Sequence, residues 1–397
     1  MAAPDLTLDP DDAPFGVAVS GGADSLALLL LAHDRGWVLR AVTVDHGLRP
    51  EARAEAIWVG EICAPRGIAH DILPLNLSDG PALQARARSA RYTALADWAR
   101  EHGIGAVLLG HTRDDVAETF LMRLADGAGL DGLARMATRF TRDGAVFRRP
   151  LLDIDKATLR TVVAGHGLVP VEDPSNRDPR FERTQLRRLL AQARIDSAEI
   201  AASAKALRAV RDSVEARTAL IVRDIATMDR GDWMLDREGW TALLHDEPEQ
   251  ARRVVLTGLR WVGSGAHPPR RTEQVELLRR MTSGEAATLA GCLIVAEPDH
   301  IRIAREPAAA MRAPDAAPGS TWDGRWHVEG PPKATIRALG EAVADTDWRA
   351  TGLPRRSLMA SPGLWDGDTL LSAPLVEPGG PWTATCSDPF ATPGEMR

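Results

Sequence analysis

The chain has 397 residues, 44% hydrophobic and 26% charged, with a formal net charge of −7, which allows two or three domains with a sizeable core. The acidic balance disfavours nucleic-acid binding over the whole surface and leaves a local basic face as the way to hold phosphates. Cys63, Cys292 and Cys386 form no CxxC pair, so neither a zinc site nor a disulfide framework is suggested.

In chain order, residues 1–12 are acidic and lack the apolar core of a signal peptide, and the longest apolar run, 26–32, is too short to span a membrane. A cytoplasmic chain with no membrane partner is expected. Residues 15 to about 165 alternate strand-like and helix-like segments. Strands are expected at 15–19, 38–45, 69–75, 106–110 and 146–149, and helices at 24–35, 51–66, 83–102, 114–124 and 155–166. Short, apolar, β-branched-rich strands alternating with helices imply a doubly wound, mainly parallel sheet of the Rossmann-like α/β class, with ligands at the C-terminal strand ends. One long helix is expected over 198–228, a small helical unit with basic pairs over 246–292, and an Ala/Pro-rich linker over 307–318. Short strand signals at 335–338 and 369–373 complete a small α+β region with a Pro/Gly-rich tail. The expected domains are an α/β domain over 1–195, a helical domain over 196–306 and a small domain over 319–397.

The segment Ser20-Gly21-Gly22-Ala23-Asp24-Ser25 joins the first strand to the first helix. Backbone amides at a helix N-terminus cradle phosphate, and paired glycines let the backbone come close to its oxygens. Asp24 would repel phosphate unless a divalent cation lay between them, so it reads as a Mg2+ ligand; the plainer alternative is an N-cap. No Gly-Lys dipeptide is present, which excludes a Walker A loop. Asp45 and His111 also fall at strand ends. Behind His111, Thr112 and Asp115 have capping-box spacing. Asp114, Asp115 and Glu118 share one helix face, suiting a cationic substrate, a metal or a general base. Arg180, Arg183 and Arg187 recur at helical spacing, which by itself reads best as a solvated face. The later tryptophans, Trp233, Trp240 and Trp261, read as core rather than as stacking platforms for bases.

Three motifs in this order, SGGADS, GHTRDDVAETFLMRL and EDPSNRDPRFERTQLRR, resemble the tRNA(Ile)-lysidine synthase family of N-type ATP pyrophosphatases. The flanking segments 44–49, 85–92 and 129–133 agree, and residues 353–368 weakly resemble the family's C-terminal domain. The resemblance implies ATP-dependent joining of L-lysine to C2 of cytidine 34 in the CAU anticodon of tRNA(Ile), through an adenylated cytidine, with release of AMP and diphosphate. ATP and Mg2+ are implied, with Asp24 as the metal ligand. Asp24, Asp115 and Glu118 are implied as catalytic, and Ser20, Gly21, Gly22, Ala23, Asp24, Ser25, Asp45 and His111 as nucleotide-binding. Asp114, Arg183 and Arg187 are implied as substrate-binding, and a homodimer is left open. The chain departs from the family at Thr112, where a second His is common, at Asp126, near a commonly basic position, and at 183–187. The competing readings are a sister ligase for tRNA thiolation or amidation, and a non-catalytic nucleotide- or tRNA-binding module. Thiolation would use a cysteine cluster that the sequence lacks.

Overall fold

The computed structural model describes residues 4–387, except 5, 7, 48–50, 76–79, 81–82, 172–184, 187–189, 191, 193–194 and 266–267. The chain divides into two compact units, Met1–Asp212 and Ser213–Arg397.

The first unit is built on a six-stranded sheet. Its strands are β1 (Phe15–Ala18), β2 (Leu39–Asp45), β3 (Ala69–Pro74), β4 (Ala106–Leu109), β5 (Arg139–Arg142) and β6 (Ala145–Arg148), in the order β3-β2-β1-β4-β6-β5. All neighbours are parallel except β5 and β6, an antiparallel hairpin. Between them run α1 (Ala23–Asp34), α2 (Ala52–Cys63), α3 (Leu83–Glu101), α4 (Arg113–Ala125), the short α5 (Leu130–Leu133) and α6 (Lys156–Gly165). The doubly wound expectation holds, and the edge strand β5 is the one strand of this sheet that the sequence reading left out. Its residues, Arg-Phe-Thr-Arg, are too polar to look like a buried strand.

Period-two alternation assigns the strand side chains to opposite faces. Phe15, Val17 and Val19 join a core with α1, α2 and α6, whereas Ala18, Val42, Val107 and Leu109 join another with Tyr92, Leu95 and Trp98 of α3. Helix α1 is apolar all round, and Leu26 through Leu31 are buried because the sheet and α6 cover it. Each fully buried leucine there contributes about 2 kcal/mol of transfer free energy. Strand order reverses at β1, whose neighbours are β2 and β4, so a crevice forms at the C-terminal ends of β1 and β4.

Helix α7 (Ser197–Ile225) ends before the expected residue 228, because Ala226–Asp229 form strand β7. β8 (Asp232–Asp236), β9 (Ala287–Leu289), β10 (Cys292–Ala296) and β11 (His300–Arg305) complete a five-stranded antiparallel sheet, β7-β8-β11-β10-β9. On it pack α8 (Arg237–Asp246), α9 (Pro248–Gly263) and α10 (Arg271–Thr282). The helical reading of 246–292 thus found the helices and missed the sheet beneath them. Trp233 and Trp240 are buried in this core with Trp261 packed against it, as expected. The basic pair Arg252-Arg253 is also inside, held by Glu249 and Gln274, so it is structural. The expected linker at 307–318 is integrated: α11 (Pro307–Ala310) buries Ala309 and Ala310, and Ala316 pairs with Ile336. Alanine is small enough to pack tightly, so an Ala/Pro composition did not mean a solvated tether. The remaining strands, β12 (Thr321–Trp322), β13 (Trp326–Glu329), β14 (Thr335–Ala338), β15 (Pro362–Asp366), β16 (Thr369–Ser372) and β17 (Thr383–Cys386), form two small sheets, β12-β13-β17 and β14-β15-β16.

Candidate active site at the switch point

Loop 20–25 leaves β1 and enters α1 with Gly21 at φ +82°, a conformation that favours glycine. Gly22 stands at the N-cap, and no side chain caps the helix. Ser25 Oγ accepts from Ser20 N–H at 3.0 Å, donates to Gly22 O at 3.1 Å and lies 3.2 Å from Ser20 Oγ. These bonds shape the loop from within and leave the helix N-terminus, with its partial positive charge, without a protein side-chain acceptor. Gly110 at the end of β4 lies against this loop. A Cβ there would come within 3.1 Å of the Ser25 backbone, tighter than ordinary contact. Val171 N–H donates to Gly21 O at 3.0 Å and closes the loop's other side.

Burial raises the Asp24 carboxyl to about 6, with Asp115 and Asp114 adding to the rise and Lys156 and Arg160 opposing it. The phosphate loop and the acidic helix are therefore within electrostatic reach of each other. A carboxylate held this uncomfortably is suited to a divalent cation, whose charge would restore its ionised form. Among the described residues no cluster of three His, Cys, Asp or Glu could hold a metal by itself. A Mg2+ ion bound through one carboxylate and phosphate oxygens needs no such cluster.

The three acids of α4 converge on one residue, Lys156, the first residue of α6. Thr112 caps α4: its Oγ1 accepts from Asp115 N–H at 3.3 Å, while Asp115 Oδ2 accepts from Thr112 N–H at 2.8 Å and from Thr112 Oγ1 at 2.9 Å. The other oxygen of Asp115 accepts from Lys156 Nζ at 2.9 Å, and Glu118 Oε1 lies 3.8 Å from the same ammonium. Asp114 takes the backbone N–H of Lys156 at 2.9 Å and the Ser197 hydroxyl at 3.3 Å. Burial works to raise the Asp115 carboxyl, but Lys156 and the Thr112 donors outweigh it and hold it below the usual range. Glu118 is 1% exposed. Asp114 and Glu118 line a cavity of about 300 Å3 with Leu190, Ile195, Asp196 and Ser197.

On the sheet's opposite flank the charges are positive. His111 is pushed down to about 3, by burial first and then by Arg149, Arg91 and Arg88. It is neutral at pH 7, and its buried Nδ1 has no hydrogen-bond partner among the described residues. Arg149 stacks over Phe140 at 4.1 Å, and Arg88 lies 5.5 Å from the Tyr92 ring. Asp45 ends β2 and accepts from Gly47 N–H at 3.0 Å.

The PP-loop domain family matches residues 4–194. A tRNA(Ile)-lysidine synthase from Ruegeria pomeroyi is 42% identical, over 93% of this chain and 90% of its own length. One from Hyphomonas neptunium is 40% identical over 76% of this chain and 83% of its own, and one from Mesorhizobium japonicum 36% identical over 91% and 84%. The chain belongs to the tRNA(Ile)-lysidine synthase family.

For a tRNA(Ile)-lysidine synthase the departure at Thr112 has a clear local reason: a threonine completes the capping box that orients Asp115. Asp126, a second departure, is the C-cap residue of α4. The structure brings Ser20 through Ser25, His111, Asp114, Asp115 and Glu118 to the switch-point crevice, and Asp45 to the end of the neighbouring strand β2. Arg183 and Arg187, the motif at 172–180 and residues 48–49 lie outside the described residues. Lys156 is the residue that sequence reading missed. The available signal was a lysine directly after an N-cap aspartate, at the helix end where a cation is disfavoured.

Proposed function

We infer that this chain is an ATP-dependent tRNA(Ile)-lysidine synthase. ATP adenylates the C2 oxygen of a cytidine and diphosphate leaves. The ε-amine of lysine then forms a bond to C2, and the C2–O bond breaks as AMP departs with the oxygen. Membership of the family, through a relative aligned over 90% of its length, carries this conclusion. The site supplies what the reaction needs.

We propose the following roles. Loop 20–25 holds the β- and γ-phosphates through its backbone amides and the Ser20 and Ser25 hydroxyls. Asp24 holds Mg2+, which when bound neutralises charge on the leaving diphosphate. Neutral His111 and Asp45 flank the nucleotide. Asp114 lines the cavity that admits lysine. A free lysine side chain titrates near 10.4, so at pH 7 it arrives as an ammonium and must lose a proton to attack. Asp115 and Glu118 receive that ammonium, and Glu118, the more buried, is the better placed proton acceptor. Arg183 and Arg187 contact ATP or tRNA phosphates. We further propose that the target is cytidine 34 of the CAU anticodon, that residues 196–306 and 319–397 act on the tRNA, and that the protein works in the cytoplasm. No helix among the described residues is long and apolar enough to cross a membrane.

The decisive experiment is transfer of labelled lysine to a tRNA(Ile) transcript with a CAU anticodon, with ATP and Mg2+, beside a transcript altered at C34. Label that requires both ATP and C34 is the expected result. A folded, ATP-binding protein that transfers no label would redirect the reading to a sister ligase acting with a sulfur or ammonia donor.

A further inference from the structure

The acid pair assigned above to the substrate's ammonium already meets an ammonium from the chain itself. Lys156 Nζ makes a hydrogen bond to Asp115 Oδ1 and a longer charge contact to Glu118. The placement runs against helix electrostatics: at the first position of α6 the aligned peptide dipoles oppose a cation, and only the acids across the gap offset this. The backbone beneath it is clamped. Lys156 N–H donates to Asp114, Asp155 Oδ1 accepts from Thr158 N–H at 2.7 Å, and Arg113 pairs with Asp155 at 3.2 Å. Arg113 N–H also donates to Ile154 O at 3.0 Å. The clamp fixes the start of α6 against α4 without using the Lys156 side chain. Among the described residues its ammonium makes one hydrogen bond, to Asp115, and the 3.8 Å approach to Glu118 exceeds hydrogen-bond length.

We propose that Lys156 is a resident stand-in for the substrate lysine, holding the Asp115–Glu118 pair in the empty enzyme and withdrawing when lysine enters. This rests on the reading that those two acids receive the substrate. A bare pair of buried carboxylates would accept any small cation; an occupied pair opens only for a ligand whose further contacts outweigh the resident ion pair. The cost is apparent affinity, reduced by the fraction of time the pocket is filled from within.

Two variants give opposite expectations. Lys156→Met keeps the length and removes the charge. It should lower KM for lysine about tenfold, leave KM for ATP nearly unchanged and make the enzyme sensitive to inhibition by n-butylamine. Lys156→Arg, whose planar fork can engage both carboxylates at once, should raise KM for lysine about tenfold. Lysine binding measured by calorimetry should follow the same order. The reverse order, with arginine rescuing and methionine losing lysine use, overturns the proposal and makes Lys156 a fixed structural partner; equal KM values in all three proteins overturn it as well. If Lys156→Met does not fold, the arginine variant still decides, since an unaltered KM there contradicts the stand-in. Wild-type enzyme that transfers no lysine sinks the functional reading and this inference together, and that result is distinct because it precedes any variant.

Discussion

Arg302 and Lys156 are both cations enclosed by carboxylates, and their surroundings differ in what is left over. Arg302, in the second unit, bonds Glu297 at 2.7 Å, Asp232 at 2.9 Å and Asp229 at 3.1 Å. Ser357 donates to Asp232 at 2.6 Å, and Arg230 bonds Asp229 at 2.9 Å. Burial raises the Asp232 carboxyl, and these donors oppose the rise. Every acid there is bound to a donor, and the cluster ties β7 and β8 to β11. Around Lys156 four acids, Asp24, Asp114, Asp115 and Glu118, act on one lysine, and two of them face a cavity. A buried ion cluster closed on all sides serves the fold; one that also faces an opening is the arrangement we propose for receiving a ligand.

The widest gap between the two clusters should come from Asp24→Asn. Turnover should fall about a thousandfold or more, while thermal unfolding is unchanged or slightly higher, because a carboxyl raised to about 6 opposes folding when ionised. Full activity would remove Asp24 from the metal site. Asp232→Ala should do the opposite, costing about 2 kcal/mol in denaturant unfolding because Ser357 and one arm of Arg302 lose their buried acceptor while Glu297 and Asp229 still hold the guanidinium, with KM values for lysine and ATP unaltered in the protein that remains folded. A selective loss of lysine affinity there would erase the distinction between the clusters. Glu118→Gln should raise KM for lysine about tenfold and KM for ATP little; equal losses would count against an ammonium-binding role. The smallest effect concerns His111. Its folded pKa of about 3 lies below the ordinary 6.5, so the unfolded chain binds a proton that the folded chain refuses. Stability should decline as pH falls from about 6.5 toward 3, by at most about 1.4 kcal/mol per pH unit from this group. Unfolding of His111→Gln should show a shallower dependence, and an identical slope would mean the imidazole is not buried neutral.

Much of the first unit was legible in the residues. The run from Phe15 to Val19, the Gly21-Gly22 pair and the apolar α1 give strand, loop and helix by local pattern alone, and Thr112 with Asp115 gives the capping box by spacing. The second unit was less legible. Strands β7 to β11 are short and lie among helices; they form local hairpins, β7–β8 and β9–β10–β11, that only the long-range pairing of β8 with β11, as of Asp236 with His300, joins into one sheet, so no local window reveals it. Composition misled at 307–318, where alanines pack into a core, and the basic pair Arg252-Arg253 is taken up inside the protein by an ion pair to Glu249 and a hydrogen bond to Gln274.

By itself the sequence determined the alternation of strands and helices, the phosphate loop and the presence of three acids on one face of α4. Those features rest on contacts a few residues apart, where backbone geometry leaves few choices. Tertiary structure alone decided that Gly110 lets β4 approach the loop and that β5 closes the sheet. It also decided that Lys156, some forty residues along the chain from Asp115 and Glu118, meets them both. Charge and burial act through space, so which cation an acid meets depends on how α4 and α6 are brought together.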